Sequence, residues 1–242
     1  MRPSKNRSDN VMRFYHAGMN EGPNQLDKEE SKHCLQVLRH EIGDVIEVVD
    51  GNGSLARCQI TATKNGICSY EILETTTSQR KKFSIELIIA PTKNVDRMEW
   101  MVEKLGELGV DHIKFIKTQN SERKVIRLDR LEKKAISAMK QSGNVRLPQL
   151  TELQDFKTTI SRVKNEHKYV GYLGDNLQYL GNSVPKNESI TILIGPEGDF
   201  AVEEVQLATD LGFKPVSLGQ STLRTETAGL IACGIINFIN QY

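Results

Sequence analysis

The stretch Thr191-Ile-Leu-Ile-Gly-Pro-Glu-Gly-Asp-Phe200 runs, after a helix beginning near Val202, into Pro215-Val-Ser-Leu-Gly219 and then a last helix. An apolar strand, a glycine-bearing loop, a helix and a second strand in succession make one unit of a parallel sheet, because parallel neighbours need a crossover between them. The same rhythm extends upstream. YVGYL (169–173) reads as a strand, as do HIKFI (112–116) and FSIELIIA (83–90). A helix after the first of these, in chain order, carries Met98, Met101, Val102, Leu105 and Leu108 on one stripe; another carries Leu128, Leu131, Ala135 and Met139. Strands alternating with helices predict an α/β fold, a parallel sheet covered on both faces.

The rhythm fails before residue 79. Thr75–Lys82 (TTTSQRKK) is polar and ends in three basic residues, the composition of a domain boundary. In front of it, VIEVVD (45–50), LARCQITAT (55–63) and ICSYEILE (67–74) are short strands separated by glycine turns, preceded by a helix over Asp27–Arg39. This predicts a small β-rich domain over 12–78 and a larger domain over 79–242. Residues 1–11 (MRPSKNRSDNV) are polar, basic and aperiodic, and are expected to be a disordered extension.

Composition excludes several classes. The chain has 242 residues and a net charge of +1, so charge alone argues neither for nor against a nucleic-acid partner. Cys34, Cys58, Cys68 and Cys233 are scattered, with no histidine at ligand spacing, which predicts no metal, no disulfide frame and a reducing cytoplasm. No apolar run reaches 18 residues and no signal-type leader opens the chain, so no membrane segment is expected. No G-x-x-x-x-G-K-[ST] motif is present. VIEVVDGNGSLA imitates a dinucleotide fingerprint, but a strand follows where the fingerprint needs a helix N-terminus, so Asp50-Gly-Asn-Gly is read as a hairpin turn.

Two segments carry candidate chemistry. Ile194-Gly-Pro-Glu-Gly-Asp-Phe lies at the carboxyl end of a strand, where ligands bind in open α/β sheets. The alternative is an ordinary strand-to-helix loop in which Glu197 caps the helix. Ser217-Leu-Gly-Gln-Ser-Thr-Leu-Arg-Thr-Glu-Thr-Ala places Arg224 at the start of a helix, where acidic residues are preferred. Either Arg224 has a task on an anion or carbonyl, or it pairs with Glu226 or an upstream acid.

Together GPEG and LG-x-x-x-LRTETA resemble the SPOUT methyltransferases, and within them the RsmE family, which methylates ring nitrogen three of a uridine in small-subunit (16S) ribosomal RNA. Further matching segments are Lys93-Asn-Val-Asp-Arg-Met-Glu, Glu107-Leu-Gly-Val, Ser121-Glu-Arg, Gln141-Ser-Gly, Arg146-Leu-Pro, His33, Val37-Leu-Arg39, Gly43-Asp and Asp50-Gly, so the resemblance spans about 12–242. The chain departs from the family pattern at Asp199 (usually Gly), Lys140 (usually Glu) and Asn144 (usually Arg).

The resemblance implies a C-terminal trefoil knot, a PUA-like RNA-binding N-terminal domain and a homodimer acting on 16S rRNA within the small subunit. It implies S-adenosylmethionine as cofactor, held by Leu173, Ile194, Gly195, Pro196, Gly198, Leu218, Gly219, Ser221, Leu223 and Thr225. RNA contacts fall to Arg39, Arg97, Arg123, Lys124 and Arg146. Alternatives within reach are another RNA substrate, such as tRNA, and a non-catalytic RNA-binding relative.

The chemistry fits such residues. Methyl transfer from a sulfonium needs alignment and a deprotonated ring nitrogen. Uridine gives up that proton some two to three pH units above neutrality, a cost of about 3–4 kcal/mol. Arg224 is the candidate for stabilising the resulting charge and Glu197 a candidate for taking the proton. The basic segment with Arg123, Lys124, Arg127, Arg130, Lys133 and Lys134 either tracks phosphates or is a solvated helix face. Leu230–Ile239, apolar nearly all round, is either core of one subunit or a dimer interface.

Overall fold

A computed structural model describes residues 12–241; the extension expected over 1–11 lies outside them. The described chain divides into two compact units. One runs up to Arg80 and includes Met139–Leu147; the other comprises Lys81–Ala138 and everything from Pro148.

In the first unit, β1 (Arg13–Tyr15), β2 (Val45–Val49), β3 (Ser54–Lys64) and β4 (Ile67–Thr77) form one sheet in that order. β1 pairs parallel to β2, and the remaining pairs are antiparallel. Alternate residues face inward, so Phe14, Ile46, Val48, Ala56 and Cys58 meet Leu26 and Met19 in one core. Asp27 caps the helix as its sequence position suggests, accepting the Glu30 N–H at 2.8 Å. The helix is shorter than expected. α1 covers Lys28–Lys32, a π-helical turn covers His33–Val37, and the chain leaves the helix at Arg39, whose φ is +58°. Asp50 Oδ1 accepts the N–H groups of Asn52 (2.7 Å) and Ser54 (2.9 Å), closing a turn that leads into β3. No helix N-terminus is available there for a pyrophosphate.

In the second unit the strands are β5 (Ile85–Ile89), β6 (His112–Lys117), β7 (Gln149–Asp155), β8 (His167–Gly171), β9 (Gln178–Tyr179), β10 (Ile190–Ile194) and β11 (Lys214–Ser217). Every pairing is parallel, in the order β7-β6-β5-β10-β8-β11-β9. β5 and β10, at the centre, are buried along their whole length, as parallel strands covered on both faces must be. The helices are α2 (Val95–Glu107), α3 (Leu128–Ser142, of which Met139–Ser142 belong to the first unit), α4 (Phe156–Ile160), α5 (Val202–Asp210) and α6 (Thr225–Gln241). The stripe predicted on α2 is buried at Met98, Met101, Val102 and Leu105. Asn94 caps this helix, accepting the Asp96 N–H at 2.8 Å.

The order of the sheet is what builds a site. β10 lies between β5 and β8, and β11 between β8 and β9. The carboxyl ends of β10, β8 and β11 therefore stand side by side, and their loops converge. α6 is not covered all round within one subunit: Ala232, Cys233 and Ile236 are buried, whereas Phe238 is 67% exposed and Ile231 40%.

Candidate active site

Three loops converge at these strand ends: 171–173 after β8, 194–199 after β10 and 217–225 between β11 and α6. They enclose a cleft of about 280 Å³. Of the cofactor residues expected from the sequence, Leu173, Ile194, Gly195, Pro196, Leu218, Gly219, Ser221, Leu223 and Thr225 line it. Gly198 does not. Its carbonyl accepts the Asn120 side-chain amide at 3.2 Å, and a Cβ there would stand 3.4 Å from Asn120 Cβ. Gly171, Tyr172, Ser217, Thr222 and Ala228 also line the cleft and are not among the expected cofactor residues, as does Asp199, one of the departures from the family pattern. For Tyr172 and Gly171 the signal was present, since they directly precede Leu173 at the end of the YVGYL strand.

The walls suit a nucleoside with an aliphatic tail. Ile194, Leu173, Leu218, Leu223 and Ala228 give apolar faces; Ser217, Ser221, Thr222 and Thr225 give hydroxyls. A Cβ at Gly171 would come 2.9 Å from Ile194 Cδ1 and 3.5 Å from Leu218 Cδ1, so glycine there keeps the floor of the cleft from closing up. Gly219, at φ +138°, has nothing within 4 Å of a Cβ, leaving its backbone open. S-adenosylmethionine therefore fits the residues present. Among the described residues, no cluster of His, Cys, Asp or Glu is grouped to hold a metal ion.

Arg224 directly precedes α6, is exposed and lines the cleft. Its suspected partner Glu226 is 5% exposed and lies with Oε1 3.6 Å from Arg97 Nε instead. Arg224 has no ion pair among the described residues. Glu197 also lines the cleft, but its Oε1 accepts the Lys93 backbone N–H at 3.1 Å. It does not cap α5; that falls to Glu204, which accepts the Ala201 N–H at 3.0 Å.

Most of the arginines expected to meet RNA are engaged within the protein. Arg123 donates to the carbonyls of Thr92 (2.9 Å), Lys93 (2.6 Å) and Val125 (3.2 Å). Arg146 donates to the Asn52 carbonyl and, at 2.7 Å, to that of Ser78. Arg97 holds Glu226, while Lys124 is exposed. On the basic helix face Arg127 pairs with Asp129, and Arg130 and Lys134 lie near Glu99, which favours the solvated-face reading.

Residues 79–237 match the model of an RNA methyltransferase domain, and 26–69 that of an RNA methyltransferase PUA domain. The chain is 29% identical over 228 residues to the ribosomal RNA small subunit methyltransferase E of Bacillus subtilis, covering 87% of this chain and 88% of that one. The crystal structure of a Porphyromonas gingivalis protein described as a probable rRNA-methyltransferase superposes with a TM-score of 0.90 at 38% identity, covering 96% and 99% of the two chains. A ribosomal RNA small subunit methyltransferase E from Neisseria gonorrhoeae, bound to S-adenosyl methionine, superposes with a TM-score of 0.83 at 27% identity, covering 96% and 98%.

Proposed function

Since the chain belongs to the RNA methyltransferase family whose domain spans residues 79–237, we propose that it methylates ring nitrogen three of a uridine in 16S ribosomal RNA, using S-adenosylmethionine. One observation carries this reading: an exposed, unpaired guanidinium, Arg224, stands at the rim of a nucleoside-sized cleft built from three strand ends. The relative from Neisseria gonorrhoeae, which holds S-adenosyl methionine, supports the choice of cofactor.

The cofactor, when bound, supplies a sulfonium-activated methyl group. The rest falls to the chain's own residues. Backbone groups at Gly195, Leu218, Gly219 and Leu223 hold the ligand, the apolar walls of Ile194 and Leu218 exclude water, and the hydroxyls of Ser221 and Thr225 orient it. Arg224 stays protonated at any working pH, so it neutralises the charge that develops on the uracil ring without competing for its proton. Glu197 is a carboxylate at the rim with an oxygen left for that proton, since only Oε1 is engaged by the Lys93 N–H.

The reading extends to assembly. The PUA-like domain recruits the RNA, the enzyme works on the small ribosomal subunit in the cytoplasm, and the loops at 194–200 and 217–225 are walls of a trefoil knot. Two copies pair through α6, where Ile231 and Phe238 stand exposed beside Trp100 in an apolar groove. Incubating the purified protein with methyl-labelled S-adenosylmethionine and 16S rRNA, free or in small subunits, tests the proposal. Label in 3-methyluridine supports it; label in no nucleoside, or in a nucleoside other than 3-methyluridine, overturns it.

A further inference from the structure

Two carboxylates line the cleft, Glu197 and Asp199, and they are held differently. Glu197 is exposed and turned towards Lys93. Asp199 is fixed on three sides. Its Oδ1 accepts the Phe200 N–H at 2.8 Å, its carboxylate also faces the Leu173 backbone N–H, and its own carbonyl accepts the Asn120 amide at 3.1 Å. It sits at φ +57°, a left-handed conformation that costs an L side chain energy and persists where the surroundings impose it. Asp199 thus lines the cleft with its carboxylate held by the Phe200 N–H and close to the backbone of the loop after β8.

A carboxylate in this position invites a cation. Burial pushes the Asp199 carboxyl up from its usual range, and no Lys, Arg or His forms an ion pair with it among the described residues. The two N–H groups that face it supply partial charge only. We propose that Asp199 is a specificity-determining residue that makes the cleft prefer a cationic sulfonium over the neutral thioether left behind by methyl transfer. The inference rests on the cofactor assignment above.

The charge balance makes the preference useful. When the methyl group leaves, the S–C bonding pair stays on sulfur, and the lone pair of the uridine nitrogen forms the new N–C bond. The sulfur then carries no positive charge, while the ring loses its negative one, and the attraction of Asp199 for the bound thioether falls. Spent product is thereby exchanged for fresh donor.

Calorimetric titration of the full chain with S-adenosylmethionine and, separately, S-adenosylhomocysteine tests this. Asp199→Asn keeps a carbonyl oxygen for the Leu173 and Phe200 N–H groups but no charge. Asp199→Gly removes the side chain and relieves the left-handed backbone. In both variants the preference for the sulfonium over the thioether, taken as the ratio of Kd values, falls by about tenfold relative to wild type, the scale of one partly screened charge pair. A purely structural latch would weaken both ligands alike. A ratio unchanged in Asp199→Asn therefore overturns the inference while leaving the cofactor assignment standing. Failure of the wild-type protein to bind either ligand overturns the cofactor assignment and this inference with it.

Discussion

Arg97 Nε lies 3.6 Å from Glu226 Oε1, so the buried carboxylate two residues after Arg224 is held from α2 and not by Arg224 itself. This leaves the Arg224 guanidinium free to face the cleft. Arg224→Ala is expected to slow single-turnover methylation by roughly two to three powers of ten, the scale of losing one donor to a developing oxyanion. Cofactor affinity measured by calorimetry stays near wild type. Arg224→Lys recovers part of the rate, since a point charge does not reproduce the planar fork. Normal turnover in the alanine variant would remove Arg224 from the chemistry.

The Arg97–Glu226 pair itself predicts a stability effect. Glu226 Oε2 already lacks a partner in the buried interior. Arg97→Ala strips the carboxylate of its counter-charge and is expected to cost about 1–3 kcal/mol in urea denaturation, the price of an unsatisfied buried group. Adding Glu226→Gln to that variant recovers part of the loss. Equal stability of Arg97→Ala and wild type would show the pair to be inert.

The exposed stripe on α6 predicts the assembly state. Phe238 and Ile231 are large apolar groups facing solvent in a single subunit. Sedimentation is expected to give dimers for the wild-type protein at micromolar concentration and monomers for Phe238→Glu. A wild-type monomer under those conditions rules the interface out.

The first unit has an acid-sensitive histidine. His16 Nδ1 is 2.5 Å from the Tyr70 hydroxyl, and burial lowers the His16 pKa from 6.5, partly offset by Asp27. The unfolded chain therefore binds a proton more readily than the folded one. The stability contributed by neutral His16 is complete above pH 6.5 and falls as the pH drops through 6.5 towards the lowered folded pKa. Hydrogen exchange at the β2 and β3 amides should accelerate over that window in the wild type and less so in His16→Gln. An identical acid response in both would exclude His16 as the cause.

Local signals in the sequence were good guides where one residue type decides the backbone. Asp27 caps α1, Asp50 closes its turn, and the apolar runs at 85–89 and 190–194 are the central strands. Signals failed where partners are distant or polar. β7, with the sequence QLTELQD, is an edge strand facing solvent and lacks the apolar run that betrays a buried one. The short helix α4 that follows it was missed for its length. Arg146 reads as a free cation, yet its partner Ser78 is 68 residues away in the chain. Of the two glycines in GPEG expected at the cofactor, Gly195 lines the cleft, but Gly198 turns to Asn120, and Asp199 faces the cleft beside it. Only the positive φ of Asp199, invisible in the sequence, reveals how that happens.

Mass spectrometry of nucleosides from small-subunit rRNA, prepared from cells with and without the gene, tests the central claim most directly. The account predicts that 3-methyluridine disappears with the gene and returns with the wild-type copy but not with Arg224→Ala. A 3-methyluridine level unchanged by loss of the gene would contradict it.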